Sequence, residues 1–140
     1  MPKKIPQNVY DVLRKNAPFC DIDIIIKKDN KFLLGKRIIK PYKGYWSLPG
    51  GRVRRGEKIA TTLTRIANDE CSIKIGKAKF VTLYEEITKY RHSIGLAFTA
   101  RYVKGDLKND AQHSKLQWFR YVPKKTILHH KKVLKFANTK

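Results

Sequence analysis

Apolar and polar residues along this chain follow two periods, one typical of strands and one typical of helices. Short apolar stretches bounded by turn residues predict strands at Asp21–Lys27, Lys31–Arg37, Lys79–Thr88, Ser93–Lys104 and Gln117–Val122. Apolar residues at helical spacing predict helices at Gln7–Lys15, Lys58–Cys71 and Lys124–Phe136. Elements in this order are typical of a mixed sheet covered by helices on two faces. The pattern therefore predicts an α/β fold, with one domain spanning residues 1–140.

The composition argues against several classes of protein. The apolar runs are too short to cross a membrane, and no apolar segment follows Met1–Ile5 as a secretion signal would require. The two cysteines, Cys20 and Cys71, lack the spacing of a metal site or a disulfide framework. We expect a reduced, cytoplasmic protein with no membrane partner.

The charge is strongly positive, with 32 Lys and Arg against 11 Asp and Glu and a formal net charge of +21. A field of this sign attracts polyanions, so nucleotides, polyphosphates and nucleic acids are candidate partners. The cations are mostly Lys and are spread from Lys3 to Lys140. This even spread is typical of a solvated surface, so a nucleic-acid partner is not expected. Only a few Arg near the Gly-Gly turn are candidates for a specific role.

The segment Leu48–Ile73 places groups for metal and phosphate chemistry at fixed spacings. Its Gly50-Gly51 pair predicts a tight turn, because glycine tolerates positive φ and the close approach of other groups. Helix positions three and four apart are neighbours, so positions 66, 69 and 70 share one face. Carboxylates there can bind Mg²⁺, which takes one or two carboxylates together with substrate phosphate. The alternative for Asp69 and Glu70 is a solvated acidic helix end.

These spacings resemble the Nudix box, G-x5-E-x7-R-E-U-x-E-E-x-G-U, in which U is an aliphatic residue. The matching positions are Gly51, Glu57, Arg65, Glu70 and Ile73, with Asp69 as a conservative match. The departures are Ile66 for a Glu, Ala67 for a bulkier aliphatic residue and Ser72 for a Gly. The resemblance implies a Nudix-type α/β/α sandwich with a mixed central sheet. It also implies an ion pair between Glu57 and Arg65 that braces the loop on the helix.

Ile66 is the most informative departure. The usual Nudix pyrophosphohydrolases have a Glu there as a metal ligand, whereas an Ile cannot bind Mg²⁺ and belongs among apolar neighbours. The GDP-mannose mannosyl hydrolase branch of the family lacks this Glu. The chain is similar to that branch in further runs, which are Phe32–Arg37 with Pro41, Gly44–Trp46, Pro49–Val53, and Asp110–His113 followed by Trp118.

The resemblance to this branch implies a reaction in which water attacks the sugar C1 of a GDP-hexose, such as GDP-mannose or GDP-glucose. The products would be GDP and free hexose, with inversion at C1. The implied metal is Mg²⁺, with Mn²⁺ as an alternative. Its implied ligands are the backbone carbonyl of Gly50, the carboxylate of Glu70 and the amide oxygen of Gln112.

The same resemblance implies roles for further side chains. His113 would be the general base, a role that suits a group titrating near neutral pH. Arg37 and Arg52 would stabilise the departing diphosphate, which Arg binds bidentately. Asp23, with Asp21 as the alternative, would contact the nucleotide or the sugar. Tyr90 is the candidate to replace a tyrosine that holds the diphosphate in that branch and aligns near Ser93.

Two other functions remain open from the sequence. A usual Nudix pyrophosphohydrolase would use both Asp69 and Glu70 as metal ligands and cleave between phosphates. A binding module directed at RNA would use the net charge of +21. The expected partner is a nucleotide-sugar substrate, and the resemblance also implies a homodimer, which the N-terminal helix could serve. His129 and His130 are expected on the final helix with no catalytic part.

Overall fold

A computed structural model describes residues 3–110 and 113–137 of the chain. Its helices are α1 (Gln7–Asn16), α2 (Ile59–Cys71) and α3 (Leu128–Ala137). Its strands are β1 (Phe19–Lys28), β2 (Lys31–Arg37), β3 (Trp46–Ser47), β4 (Gly50–Arg52), β5 (Lys74–Ile75), β6 (Lys79–Ile87), β7 (His92–Lys104) and β8 (His113–Phe119). No helix within these ranges is both long and apolar enough to span a membrane.

The strands form a mixed sheet around β1. This strand runs parallel to β7 and antiparallel to β2 and β4. Beyond β2 the sheet continues with β8 and β3, and beyond β7 it continues with β6 and β5. The predicted mixed sheet is confirmed. The β1–β4 pairing brings Gly50 and Gly51 beside the middle of the sheet.

Two apolar clusters fill the space on either face of the sheet. Alternate residues of β1 (Ile22, Ile24 and Ile26) pack against α2, whereas Ile25 points to the opposite face and to α3. Ile66 of α2 is fully buried in the first cluster, as expected for an apolar residue at that position. Each such side chain contributes about 1.5–3 kcal/mol of burial free energy. The two clusters therefore fix α2 and α3 on opposite faces, which is the predicted sandwich.

Some predicted boundaries shift at the C-terminal end. The predicted strand Gln117–Val122 is instead β8, which begins at His113 because pairing with β2 continues from Phe119 back to His113. The predicted helix from Lys124 begins only at Leu128. Before it, Thr126 forms a parallel bridge with Trp46, in which the Trp46 N–H donates to the Lys125 carbonyl and the Ile127 N–H donates to the Trp46 carbonyl.

Candidate metal and hydrolysis site

The predicted tight turn at Gly50-Gly51 is wrong, because both glycines lie in strand β4, and the described glycines with positive φ are Gly44, Gly56 and Gly105. Gly50 instead lies against β1 at a distance that only glycine permits. Gly50 pairs with Asp23 across β1 and β4. A Cβ atom on Gly50 would lie 2.6 Å from the carbonyl oxygen of Ile22 and closer still to the Asp23 carboxylate. Real Cβ atoms do not approach oxygen this closely, so any side chain at Gly50 would push β4 away from β1. Glycine therefore sets the position of this loop over β1.

The predicted brace between Glu57 and Arg65 is confirmed. Arg65 Nε donates to Glu57 Oε2 at 2.7 Å, and its Nη2 donates to the Arg52 carbonyl at 3.0 Å. Glu57 also accepts hydrogen bonds from the Arg54 N–H and the Thr62 hydroxyl. Hydrogen bonding by Arg65, aided by these donors, lowers the pKa of Glu57 to about 2. The ion pair between Glu57 and Arg65 joins α2 to the loop that follows β4.

Two carboxylates and an imidazole lie close together beside Gly50. Glu70 Oε1 accepts a hydrogen bond from the Gly50 N–H at 3.4 Å. Glu70, Asp110 and His113 each present one ligand atom, and these atoms lie within 4.8 Å of one another. Loss of water around Glu70, followed by the charge of Asp110, raises the pKa of Glu70 well above its usual range. Two carboxylates held this close repel each other unless a proton or a cation lies between them.

A divalent metal ion fits this donor set. Carboxylate oxygens suit Mg²⁺, and an imidazole nitrogen also suits transition metals, so Mn²⁺ fits as well. A cation would offset the repulsion that raises the pKa of Glu70. From the sequence, Asp110 belongs to the run Asp110–His113 but has no predicted role of its own. Gln112, predicted as a metal ligand, lies outside the described residues.

His113 is held in one orientation at the start of β8. Its ring is buried, with Nδ1 at 2.8 Å from Asp110 Oδ1 and Nε2 at 3.4 Å from Ser47 Oγ. If Nδ1 donates its proton to the Asp110 carboxylate, Nε2 keeps a lone pair. Gly35 of β2 makes room for the ring, since a Cβ atom there would lie 2.7 Å from His113 Cδ2. This arrangement can hold a base nitrogen in a fixed direction.

A second histidine connects α3 to β1 and to the loop. His130 Nδ1 accepts a hydrogen bond from the Leu48 N–H at 3.0 Å, and Nε2 lies 3.5 Å from Asp23 Oδ2. Because Nδ1 is an acceptor, Nε2 carries the proton and faces Asp23. Tyr84 also donates its hydroxyl proton to Asp23. Burial alone would raise the pKa of Asp23, but His130 and Tyr84 more than offset this and lower it.

His130 changes the expectation that the histidines of the final helix have no part in the site. It is buried and lines the pocket together with His129. Burial, reinforced by His130, lowers the pKa of His129 to about 4. The sequence signal was weak, because only the fold brings α3 within reach of Asp23. The site therefore includes α3, which begins more than 75 residues after the end of β4.

Asp23, Glu70, Asp110, His129 and His130 line a pocket of about 730 Å³, whereas the buried His113 is not among its described lining residues. The predicted residues that line it are Asp23, Arg37, Gly50, Arg52, Asp69, Glu70 and Tyr90. Arg37 is paired with His113 across β2 and β8, and its Nε donates to the Pro41 carbonyl at 2.7 Å. Tyr90 is half-exposed, with the Arg14 guanidinium 4.3 Å from its ring centre. Asp69 is exposed and accepts a hydrogen bond from Asn68.

Comparisons with known proteins define the class. Residues 21–136 match the family model of the NUDIX domain, so the chain belongs to the Nudix family, and it is a Nudix hydrolase. It is 27% identical to the low-salt glycan biosynthesis protein Agl8 of Haloferax volcanii, over 83% of this chain and 80% of that one. It is 31% identical to the ADP-ribose pyrophosphatase of Methanocaldococcus jannaschii, over 84% of this chain and 72% of that one.

Solved structures support the fold. A MutT NUDIX hydrolase from Burkholderia pseudomallei superposes with a TM-score of 0.82 at 23% identity, covering 88% of this chain and all of that one. The NUDIX domain of Shewanella oneidensis NrtR, solved with ADP ribose, superposes with a TM-score of 0.74 at 18% identity, covering 96% and 98%. At these identities the similarity establishes the architecture and not the substrate.

Proposed function

We propose that this Nudix hydrolase cleaves a GDP-hexose at the sugar C1 with the help of a divalent metal ion, releasing GDP and free hexose. The observation that carries the proposal is the replacement of a box carboxylate by the buried Ile66, together with the oriented His113 beside Glu70. With Ile66 in the core, α2 offers fewer carboxylates to a metal than the usual box does. The name of the Agl8 relative, a glycan biosynthesis protein, also favours a sugar nucleotide as substrate.

The metal ion would be held by Glu70, by the carbonyl of Gly50 and by Gln112, with Asp110 as a further carboxylate in reach of Glu70. When bound, it would stabilise the negative charge that develops on the departing diphosphate. Arg37 and Arg52 line the same pocket and would bind the diphosphate oxygens. Asp23 and Tyr90 would contact the sugar and the nucleotide.

His113 would act as the general base. Its Nε2 would accept a proton from the attacking water while the water oxygen bonds to C1. The bond between C1 and the diphosphate oxygen breaks, and its electron pair leaves with the diphosphate. Asp110 would hold the ring by accepting the Nδ1 proton. In this scheme the reaction needs no carboxylate at position 66.

Product analysis tests the proposal directly. The protein is incubated with GDP-mannose and Mg²⁺ in ¹⁸O-labelled water, and the products are followed by phosphorus NMR and mass spectrometry. We expect GDP without label and mannose with one ¹⁸O atom. Formation of GMP and mannose 1-phosphate would overturn attack at carbon. GDP-glucose and ADP-ribose, run in parallel, compare the substrate classes.

A usual pyrophosphohydrolase is the second candidate. It is favoured by the 31% identity to an ADP-ribose pyrophosphatase and by Asp69, which lines the pocket next to Glu70. In that case Asp69 would be a metal ligand, and replacing it with Asn would abolish turnover. Under the first proposal D69N keeps most of the activity, because Asp69 lies outside the group formed by Glu70, Asp110 and His113. The homodimer and the cytoplasmic location stay predictions.

A further inference from the structure

A second groove of about 470 Å³ lies on the other side of α3, and within residues 3–110 and 113–137 the two sites have no lining residue in common. The helix divides the two: its residues His129 and His130 line the pocket, whereas Lys131 and Lys135 line the groove. Apolar side chains of Phe32 and Leu134 also contribute to the groove. The proposed hydrolysis reaction makes no use of this groove.

The described side chains that line the groove include positive charges and no negative ones. Four of its lining side chains, Arg120, Lys124, Lys131 and Lys135, are positive, and none of the described residues that line it is acidic. The sequence around it is equally one-sided, since residues 111–140 contain eight Lys and Arg and no Asp or Glu. The active-site pocket differs in this respect, because six carboxylates are among its lining residues. The groove is therefore complementary to a chain of negative charges.

An exposed aromatic ring lies at the same place. Tyr121 lines the groove and is 80% exposed, the highest value among the large apolar and aromatic side chains that the structure describes. An aromatic face beside a cationic groove is the arrangement that binds unpaired bases, because bases stack on the ring while cations contact the phosphates. Lys131 and Lys135 lie one helical turn apart, about 5–6 Å, so they can contact phosphates of one strand.

We propose that this groove binds a single strand of nucleic acid, with a base stacked on Tyr121 and phosphates contacted by Arg120, Lys124, Lys131 and Lys135. A duplex hides its base faces and cannot use Tyr121 in this way. From the sequence, an RNA-directed binding module was open on the net charge alone, and a nucleic-acid partner was not expected because the cations are spread along the chain. The fold groups four of these charges beside one exposed ring. The proposal is independent of the reaction at the active site.

Fluorescence anisotropy with a labelled oligouridylate of twelve nucleotides tests the proposal on the full chain. The groove variant K124A/K131A/K135A is compared with K74A/K77A/K79A, which removes the same charge from exposed lysines near β5 and the start of β6. We expect the groove variant to bind at least about tenfold more weakly and its salt slope to fall by about 2, at roughly 0.7 per phosphate contact. An equal loss in both variants would mean diffuse attraction and would overturn the proposal.

Tyr121 separates stacking from charge. We expect Y121A to bind roughly tenfold more weakly and Y121F to bind like the native chain, since the ring and not the hydroxyl is used. Unchanged binding by Y121A would contradict the proposal. So would competition by UMP at the concentration of the oligomer, or equal affinity for a duplex of the same length. Thermal melting checks that each variant is folded, and GDP-mannose turnover by Y121A separates this result from the fate of the proposed hydrolysis.

Discussion

Single residues determine the chemistry of this site, and His113 is the clearest case. It is held between Asp110 and Ser47, and the absence of a side chain at Gly35 leaves room for its ring. Ile66 stands where the box has a carboxylate and places an apolar side chain in the core instead. In the proposed site, α2 would supply a metal-binding carboxylate and β8 would supply the base nitrogen.

Replacing His113 by Gln should lower kcat by about 10²–10⁴-fold with little change in KM, because general-base catalysis contributes that factor. D110N should also lower kcat, since it removes the acceptor that orients the ring and a carboxylate within reach of Glu70. The measurement is initial-rate kinetics across a Mg²⁺ titration. H92Q, at the start of β7, serves as the matched control. Full rescue of H113Q by high Mg²⁺ would mean that His113 is a metal ligand and not the base.

His130 should affect both folding and substrate binding. H130A removes one of the donors to Asp23 and the acceptor of the Leu48 N–H, and loss of that acceptor from a buried N–H costs about 1–3 kcal/mol. We expect a lower urea midpoint and a higher KM for the nucleotide sugar. K132A on the exposed side of α3 is the control. A variant with native stability and native KM would show that His130 does not position the loop.

At the scale of elements, the sequence predicted the long ones and missed the short ones. Helix α2 begins one residue from its predicted start and ends where predicted, because its apolar face repeats over several turns. Strands β3, β4 and β5 have only two or three residues, too few to show a period. The link between His130 and Asp23 joins residues far apart in sequence, and no local pattern carries it.

The C-terminal end of α2 explains another departure from the box. Ser72 stands where the box has Gly, and it adopts a left-handed conformation with φ 60° and ψ 36°. A residue with a Cβ atom is disfavoured there by roughly 1–2 kcal/mol, whereas Gly is not. We expect S72G to stabilise the protein by about 1 kcal/mol and to raise Tm by roughly 3–5 °C. S72A keeps the Cβ atom, so an equal rise in S72A on calorimetry would contradict this reason.

The brace between the loop and α2 predicts a specific acid sensitivity. The folded-state pKa of Glu57 is about 2, below its ordinary value of about 4.5. A lowered pKa means that the carboxylate stabilises the fold fully above pH 4.5 and that this contribution is lost as pH falls towards 2. E57Q should therefore be less stable at pH 7 and lose less stability over that window. Urea unfolding at several pH values measures the free energy of unfolding. An equal loss of that free energy in E57Q and in the native chain as pH falls would refute the prediction.

At the scale of the whole molecule, the net charge of +21 must weaken the compact state by self-repulsion. Salt screens such repulsion, since the Debye length falls to about 10 Å at 0.1 M. Because this screening weakens the self-repulsion, we expect Tm to rise between about 0.02 and 0.3 M NaCl. The variant K74Q/K77Q/K79Q should melt higher at low salt and show a smaller rise, because it carries three fewer positive charges. An equal Tm at all salt concentrations would mean that the native structure already spaces its lysines widely enough to remove the repulsion.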